Sequence, residues 1–76
     1  MTTDEEIIIF GENVKKLRKQ NQMNQRDFAS KCDIGVGSLR LIERGVWPKR
    51  MSVKFIFSLY YDFGVKPSKM FVPWQD

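Results

Sequence analysis

Apolar residues recur at three- and four-residue intervals along most of this chain, and this spacing constrains the fold more than any other feature. In the first third of the sequence the spacing runs through Ile7, Phe10, Val14 and Leu17. Residues at these intervals share one face of an α-helix, which must be buried against other helices. The sequence therefore predicts an amphipathic helix at about residues 5–21, opened by a capping box of Thr3 and Glu6.

The middle of the chain predicts two short helices joined by a tight turn. Asn24 is a favourable N-cap for a helix at about 25–32, and Gly35 can cap another at about 36–44. Asp33 lies between them and tolerates the left-handed turn conformation. The inward residues of this unit are Phe28, Ala29, Ile34, Leu39 and Ile42. Such a pattern is typical of a helix-turn-helix, at about residues 25–44.

The last third predicts a fourth helix and a short final turn. The segment VKFIFSLYYDFG follows Ser52, a plausible N-cap, and Gly64 ends the helix. Its apolar residues form two stripes, one of Val53, Ile56, Tyr60 and Phe63 and the other of Phe55 and Leu59. A helix apolar on more than one side is deeply buried or shares a surface with a partner. KPSKMFVP predicts a last single turn or short helix, so we expect one compact all-α domain over residues 1–76.

Charge and side-chain chemistry favour a polyanionic partner over catalysis. The first thirteen residues hold four acids and no base, so the rest, with thirteen basic and five acidic residues, carries a net charge of +8. A basic body on a short chain suits nucleic acid, although solubility alone is the alternative. The chain has no histidine and one cysteine, Cys32, which leaves no disulfide, no zinc ligand set and no common general base. We expect no enzyme activity, no cofactor and no metal.

Five segments carry a resemblance to a known family. They are VKKLR (14–18), NQRDFA (24–29), DIG (33–35), LRLIERG (39–45) and FGVKPSKMF (63–71). In order and in approximate spacing, over about residues 10–72, they resemble the phage repressor and Cro-type (XRE-like) helix-turn-helix family. The resemblance implies a compact five-helix lambda-repressor-like DNA-binding domain. It also implies a transcriptional regulator, foremost a repressor, whose homodimer places the third helix in the major groove of double-stranded DNA.

The resemblance assigns roles to individual residues. Arg18 and Glu43 correspond to the family's ion pair between the first and third helices. Gln25, at the start of the second helix, corresponds to a phosphate contact, where the helix end offers free N–H groups to an anion. Asn24 beside it is either a further DNA contact or only a cap.

The third helix departs from the family in the residues that it offers to bases. The base-contacting positions fall on Gly35, Val36, Gly37, Arg40, Leu41 and Arg44. The two glycines supply no side chain, so we expect the main direct readout from Arg40, with Ser38 as a minor donor. The alternative for Arg40 is a phosphate contact or a solvated charge. Lys49 and Arg50, in the following loop, are predicted phosphate contacts.

The apolar residues near the end of the chain exceed what one small core needs. We predict that they form a dimer interface of Phe55, Leu59, Met70, Phe71, Val72 and Trp74. The alternative is that Trp74 merely caps the core of a single copy. The atypical Trp47-Pro48 pair either packs on the body, which we favour, or faces DNA or a partner.

Two other functions fit the same fold. One is a protein-interaction module, such as an antitoxin or an assembly partner, which the sparse third helix and the apolar fourth helix favour. The other is a restriction–modification controller, of similar size and fold. For the DNA-binding interpretation we expect a cytoplasmic, nucleoid-associated protein without a small-molecule ligand. The apolar run Ile7–Phe10 is too short for a membrane span, and no signal peptide is expected.

Overall fold

Four α-helices and one short 3₁₀ helix make up the part of the chain that the computed structural model describes, residues 4–74, in which no β-strand occurs. The α-helices are α1 (Asp4–Gln20), α2 (Gln25–Lys31), α3 (Val36–Glu43) and α4 (Val53–Phe63). Each of the first four predicted helices is confirmed to within one residue at either end. Thr3 of the predicted capping box lies outside the described residues.

The predicted fifth helix is reduced to a 3₁₀ turn at Pro67–Lys69. Pro67 opens this turn and Pro73 follows it, and proline neither donates a backbone hydrogen bond nor allows the residue before it to be helical with ease. Between the two prolines there is too little chain for an α-helix. The all-α prediction is confirmed, and the last element is the single short turn that was one of the two expected forms, so the described residues contain four α-helices and not five.

The turns around α2 and α3 follow the predicted caps. The Asn24 side chain accepts a hydrogen bond of 2.7 Å from the backbone N–H of Asp27, as expected of an N-cap. Asp33 takes the left-handed conformation with φ 58°, and Ile34 then donates its N–H to the Ala29 carbonyl at 3.0 Å. Gly35 is the extended N-cap of α3. These contacts hold α2 and α3 in a fixed relative orientation.

The core draws on every helix and on the segment after α4. Its buried residues are Phe10, Val14, Leu17, Phe28, Ala29, Cys32, Leu39, Ile42, Phe55, Leu59 and Met70. On α4 the stripe of Phe55 and Leu59 faces inward, with Ile56 and Phe63 partly buried beside it. Val53 and Tyr60, predicted to share a stripe with those two, are exposed instead. Helical spacing allowed either side of this apolar helix to face inward, and packing against α1 and α2 selected one.

A buried amide fastens the end of the chain to α1. Asn13 is 1% exposed, and its Nδ2 donates to the carbonyl oxygens of Met70 and Val72, both at 2.8 Å. One turn on, Lys16 Nζ donates to the Trp74 carbonyl at 3.0 Å. Burying a polar side chain is costly unless it is hydrogen-bonded, and both donor hydrogens of this amide are used. The last segment is therefore part of the domain's own core.

This arrangement corrects the predicted dimer interface. Phe55, Leu59 and Met70 are fully buried inside a single copy and cannot contact a second one. Phe71 and Trp74 are partly buried against the core, Phe71 being stacked on Phe10 with ring centroids 5.0 Å apart. Val72 is exposed. Most of the surplus apolar residues are used by the monomer, because the tail folds back over α1.

Gly11 marks the place where α1 crosses α3. A β-carbon at this position would collide with the backbone carbonyl of Ile42, so the two helix backbones are nearly in contact. Gly37 is the opposite case, since a β-carbon there would have nothing within 4 Å. Both glycines are helical and each costs about 1 kcal/mol of helix propensity relative to alanine, but only Gly11 has a packing reason within the chain.

We expect Gly11→Ala to lower the free energy of unfolding by about 1–3 kcal/mol, because α1 and α3 must move apart to accommodate the methyl group. Thermal unfolding followed by circular dichroism measures the change. Gly37→Ala is the matched control and should raise stability by up to about 1 kcal/mol. Equal effects of the two substitutions would contradict the close crossing.

Candidate nucleic-acid interface

The third helix is anchored on one side and open to solvent on the other. Leu39 and Ile42 are 0% and 2% exposed and attach α3 to the core. The residues of its other side that lie exposed are Gly35, Gly37, Arg40, Leu41 and Arg44. Nothing else among residues 4–74 covers this side. Of the predicted base-contacting positions only Val36 is not exposed, because it is partly buried against the core.

The predicted ion pair between α1 and α3 is present. Arg18 donates from Nε to Glu43 Oε2 at 2.8 Å and from Nη2 to Oε1 at 3.0 Å, so the contact is bidentate. The two side chains are only 12% and 5% exposed. Arg18 Nη1 also donates to the Met23 carbonyl at 3.1 Å, which brings in the loop before α2. One guanidinium thus fixes α1, this loop and the last residue of α3 relative to each other.

Gln25 extends this network to the surface of α3. Its Nε2 donates to Glu43 Oε1 at 3.3 Å, and its Oε1 accepts from Arg40 Nε at 3.3 Å. The amide orientation suits both neighbours, since its donor faces a carboxylate and its acceptor faces a guanidinium. The predicted phosphate contact of Gln25 stays a prediction. What sequence reasoning missed is that Gln25 contacts Arg40, the residue expected to read bases.

The loop after α3 packs as predicted. Trp47 lies against Phe10, with ring centroids 5.4 Å apart, and Pro48 is buried. Pro48 and Arg50 line one cleft together with Gly35 and Ser38, so the loop runs beside the first turn of α3. Lys49 and Arg50 are exposed. Ser38 is partly buried in this cleft, which suits the minor role predicted for it.

Cations predominate on the exposed surface of α2, α3 and the following loop. They are Arg26, Lys31, Arg40, Arg44, Lys49 and Arg50. The acidic first turn, Asp4, Glu5 and Glu6, belongs to α1. Asp33, in the turn between α2 and α3, is 3.0 Å from Lys54, but both side chains are more than 70% exposed, so this pair contributes little. The balance of charge beside α3 is positive and suits an anionic partner.

The described part of the chain shows no group of histidine, cysteine and acidic side chains arranged to hold a metal. Cys32 is fully buried. Burial raises the pKa of its thiol to about 11, with the Asp62 carboxylate adding to the rise and Lys31 opposing it. Within residues 4–74 no helix combines the length and hydrophobicity that a membrane span requires.

Comparisons with family models, with curated proteins and with solved structures found no match. The resemblance to the phage repressor and Cro-type family therefore stays a prediction from the sequence motifs. What the geometry adds is independent of that resemblance: an exposed helix face, fixed from behind and surrounded by cations.

We expect Arg18→Met to lower the free energy of unfolding by about 3–5 kcal/mol, because the Glu43 carboxylate is left buried without its cation. Urea unfolding at pH 7 measures the loss. The double variant Arg18→Met/Glu43→Leu removes both charges and should recover most of it. If the double variant were as unstable as the sum of the two single variants, the pair would not be coupled.

Proposed function

We propose that this protein is a sequence-specific double-stranded DNA-binding regulator of transcription, a repressor of the Cro type, that binds through a helix-turn-helix formed by α2 and α3. In this proposal the domain is lambda-repressor-like with a shortened fifth element, and a homodimer places two copies of α3 in successive major grooves. The observation that carries it is the exposed outer side of α3, which is anchored on its inner side by Leu39 and Ile42. An α-helix about 10–12 Å across fits a groove about 12 Å wide.

The glycines of α3 support close approach to DNA. Gly45 and Gly64 have positive φ angles, and Gly11 is required by packing. Gly35 is the N-cap of α3, but Gly37 lies inside the helix and has none of these reasons, since its φ angle is not positive and a β-carbon there would meet nothing within 4 Å. A glycine that the fold itself does not need suits a site where another molecule comes close to the backbone. We assign that contact to the DNA backbone or a base edge.

Arg40 is the best-placed side chain for direct readout. Its Nε donates to Gln25 Oε1 at 3.3 Å, which favours an orientation of the guanidinium toward the outer side of α3. Among the described residues its two terminal nitrogens have no hydrogen-bond partner, and they can form the bidentate contact that arginine makes with guanine. Arg44 is a second candidate for base contact, and Lys49 and Arg50 contact phosphates and set the register, which is the ordinary division of roles in such interfaces.

Selection of duplexes from a random DNA pool, followed by sequencing, is the most direct test. A repeated motif with two symmetric half-sites about 34 Å apart is expected from a homodimer. Affinity for the selected duplex should fall steeply between 50 and 200 mM salt, since several phosphate contacts release counterions. A protein-interaction module on the same fold would enrich no motif, and that result would reject the proposal.

We expect Arg40→Ala to relax the preference at one base pair in each half-site, at a cost of about 1–3 kcal/mol of discrimination. The measurement is a repeat of the selection with the variant. Arg26→Ala, which removes an exposed cation of α2, is the matched control and should leave the motif unchanged. An unaltered motif in the Arg40 variant would show that Arg40 does not contact a base.

Lys49→Ala should weaken binding to all duplexes about equally and reduce the slope of log affinity against log salt by about one, because one phosphate contact is lost. Fluorescence anisotropy over a salt series gives this slope. Lys66→Ala, outside α2, α3 and the loop between α3 and α4, should leave it unchanged. The same slope change in both variants would show that only total charge matters.

A further inference from the structure

The outer side of α3 has an open space at Gly37. A β-carbon at this position would meet nothing within 4 Å, so neither Arg40 nor Leu41 fills the space above the glycine. With about 3.6 residues per turn, these two residues lie one turn further along α3, on either side of Gly37 around the helix axis. Both are exposed. The surface of α3 therefore has a shallow recess with a backbone floor, one cationic wall and one apolar wall.

Leu41 supplies the apolar wall of this recess. It is 38% exposed, whereas Leu39 and Ile42 are 0% and 2% exposed and attach α3 to the core. Long side chains on a helix lean toward the preceding turn, over the residues three and four positions earlier, so Leu41 is directed toward Gly37. Its hydrocarbon neither donates nor accepts a hydrogen bond. Only an apolar group can replace water in the recess and gain from contact with this wall.

We infer that the recess at Gly37 takes the 5-methyl group of a thymine, and that Leu41 is the side chain that selects it. This inference rests on the proposed binding of α3 in the major groove. The edges of base pairs in that groove carry hydrogen-bond donors and acceptors, and the thymine methyl is the apolar group among them. A polar edge placed against Leu41 loses water without gaining a partner, which weakens binding. Thymine is thereby preferred to cytosine, which lacks the methyl group.

The other wall of the recess indicates where this thymine lies in the operator. The terminal nitrogens of Arg40 suit a guanine. Because Arg40 and Leu41 flank the same glycine within one turn of α3, the bases that they contact belong to neighbouring base pairs. We therefore expect each half-site to combine one guanine with a thymine beside it. Such a site also responds to DNA methylation, since 5-methylcytosine carries its methyl group on the same ring atom as thymine.

Uracil substitution in the selected duplex tests the contact, because it removes the methyl group and leaves base pairing unchanged. Each thymine of the half-site is replaced in turn, and affinity is measured by fluorescence anisotropy. We expect one position at which the affinity of the wild-type chain falls about fourfold per half-site, the ratio that corresponds to one buried methyl group. At that position 5-methylcytosine should bind more tightly than cytosine by a similar factor.

Three variants assign the methyl contact to the recess. Leu41→Ala should bind the thymine and uracil duplexes equally, because the apolar wall is lost. Val72→Ala is the matched control, since it removes a similarly exposed apolar side chain, 46% exposed, from the segment after α4 and should keep the full difference. Gly37→Ala places its own methyl group in the recess, so this variant should bind the uracil duplex at least as tightly as the thymine duplex.

The outcomes separate this inference from DNA binding itself. A wild-type chain that binds the selected duplex but responds to no thymine methyl would overturn the inference and leave the proposed function intact. A methyl effect that persists unchanged in both Leu41→Ala and Gly37→Ala would place the contact outside the recess and overturn it as well. If the selection enriches no duplex at all, the proposed function is rejected and the inference with it.

Discussion

The near-contact of α1 with α3 is the constraint on which the rest of the structure depends. At Gly11 the absence of a side chain lets the backbone of α1 reach the carbonyl of Ile42. About two turns further along α1, Arg18 makes its bidentate pair with Glu43. The first contact fixes the distance between the helices, and the second fixes the rotation of α3 about its axis. Because α3 is only eight residues long, it has little intrinsic stability and takes its orientation from α1.

The polar network runs outward from this crossing with steadily increasing exposure. Arg18 and Glu43 are largely withdrawn from water, Gln25 is partly exposed and Arg40 is exposed. In the buried part, charge and hydrogen bonding are strong because the surroundings screen them little. At the exposed end, the Gln25–Arg40 contact is long and easily exchanged. The buried end of the network is therefore fixed, whereas the outer guanidinium is only loosely oriented.

The two sides of α4 are both apolar, but only one of them is buried. The segment after α4 folds back over α1, where the Asn13 amide donates hydrogen bonds to two of its carbonyls. Met70 thereby fills the core, and Phe55 and Leu59 complete it from α4. The other side of α4 is left with Phe57 and Tyr61 in solvent. A small domain that fills its core in this way leaves one apolar side of α4 exposed.

Local chemistry let the sequence determine the four α-helices and the caps of α2 and α3, whereas the Arg18–Glu43 pair was expected only from the resemblance to the repressor family. Apolar spacing, Asn24 and the glycines act over one or two turns and give the same answer in any surroundings. Only the tertiary structure decided which side of α4 is buried, because both sides are apolar and helical periodicity cannot choose between them. Two residues of α1 departed from the helical pattern without being interpreted. Gly11 is a poor helix former, and Asn13 is a polar residue within the apolar stripe. Their partners, Ile42 and the tail carbonyls, lie far along the chain, and packing brings them together.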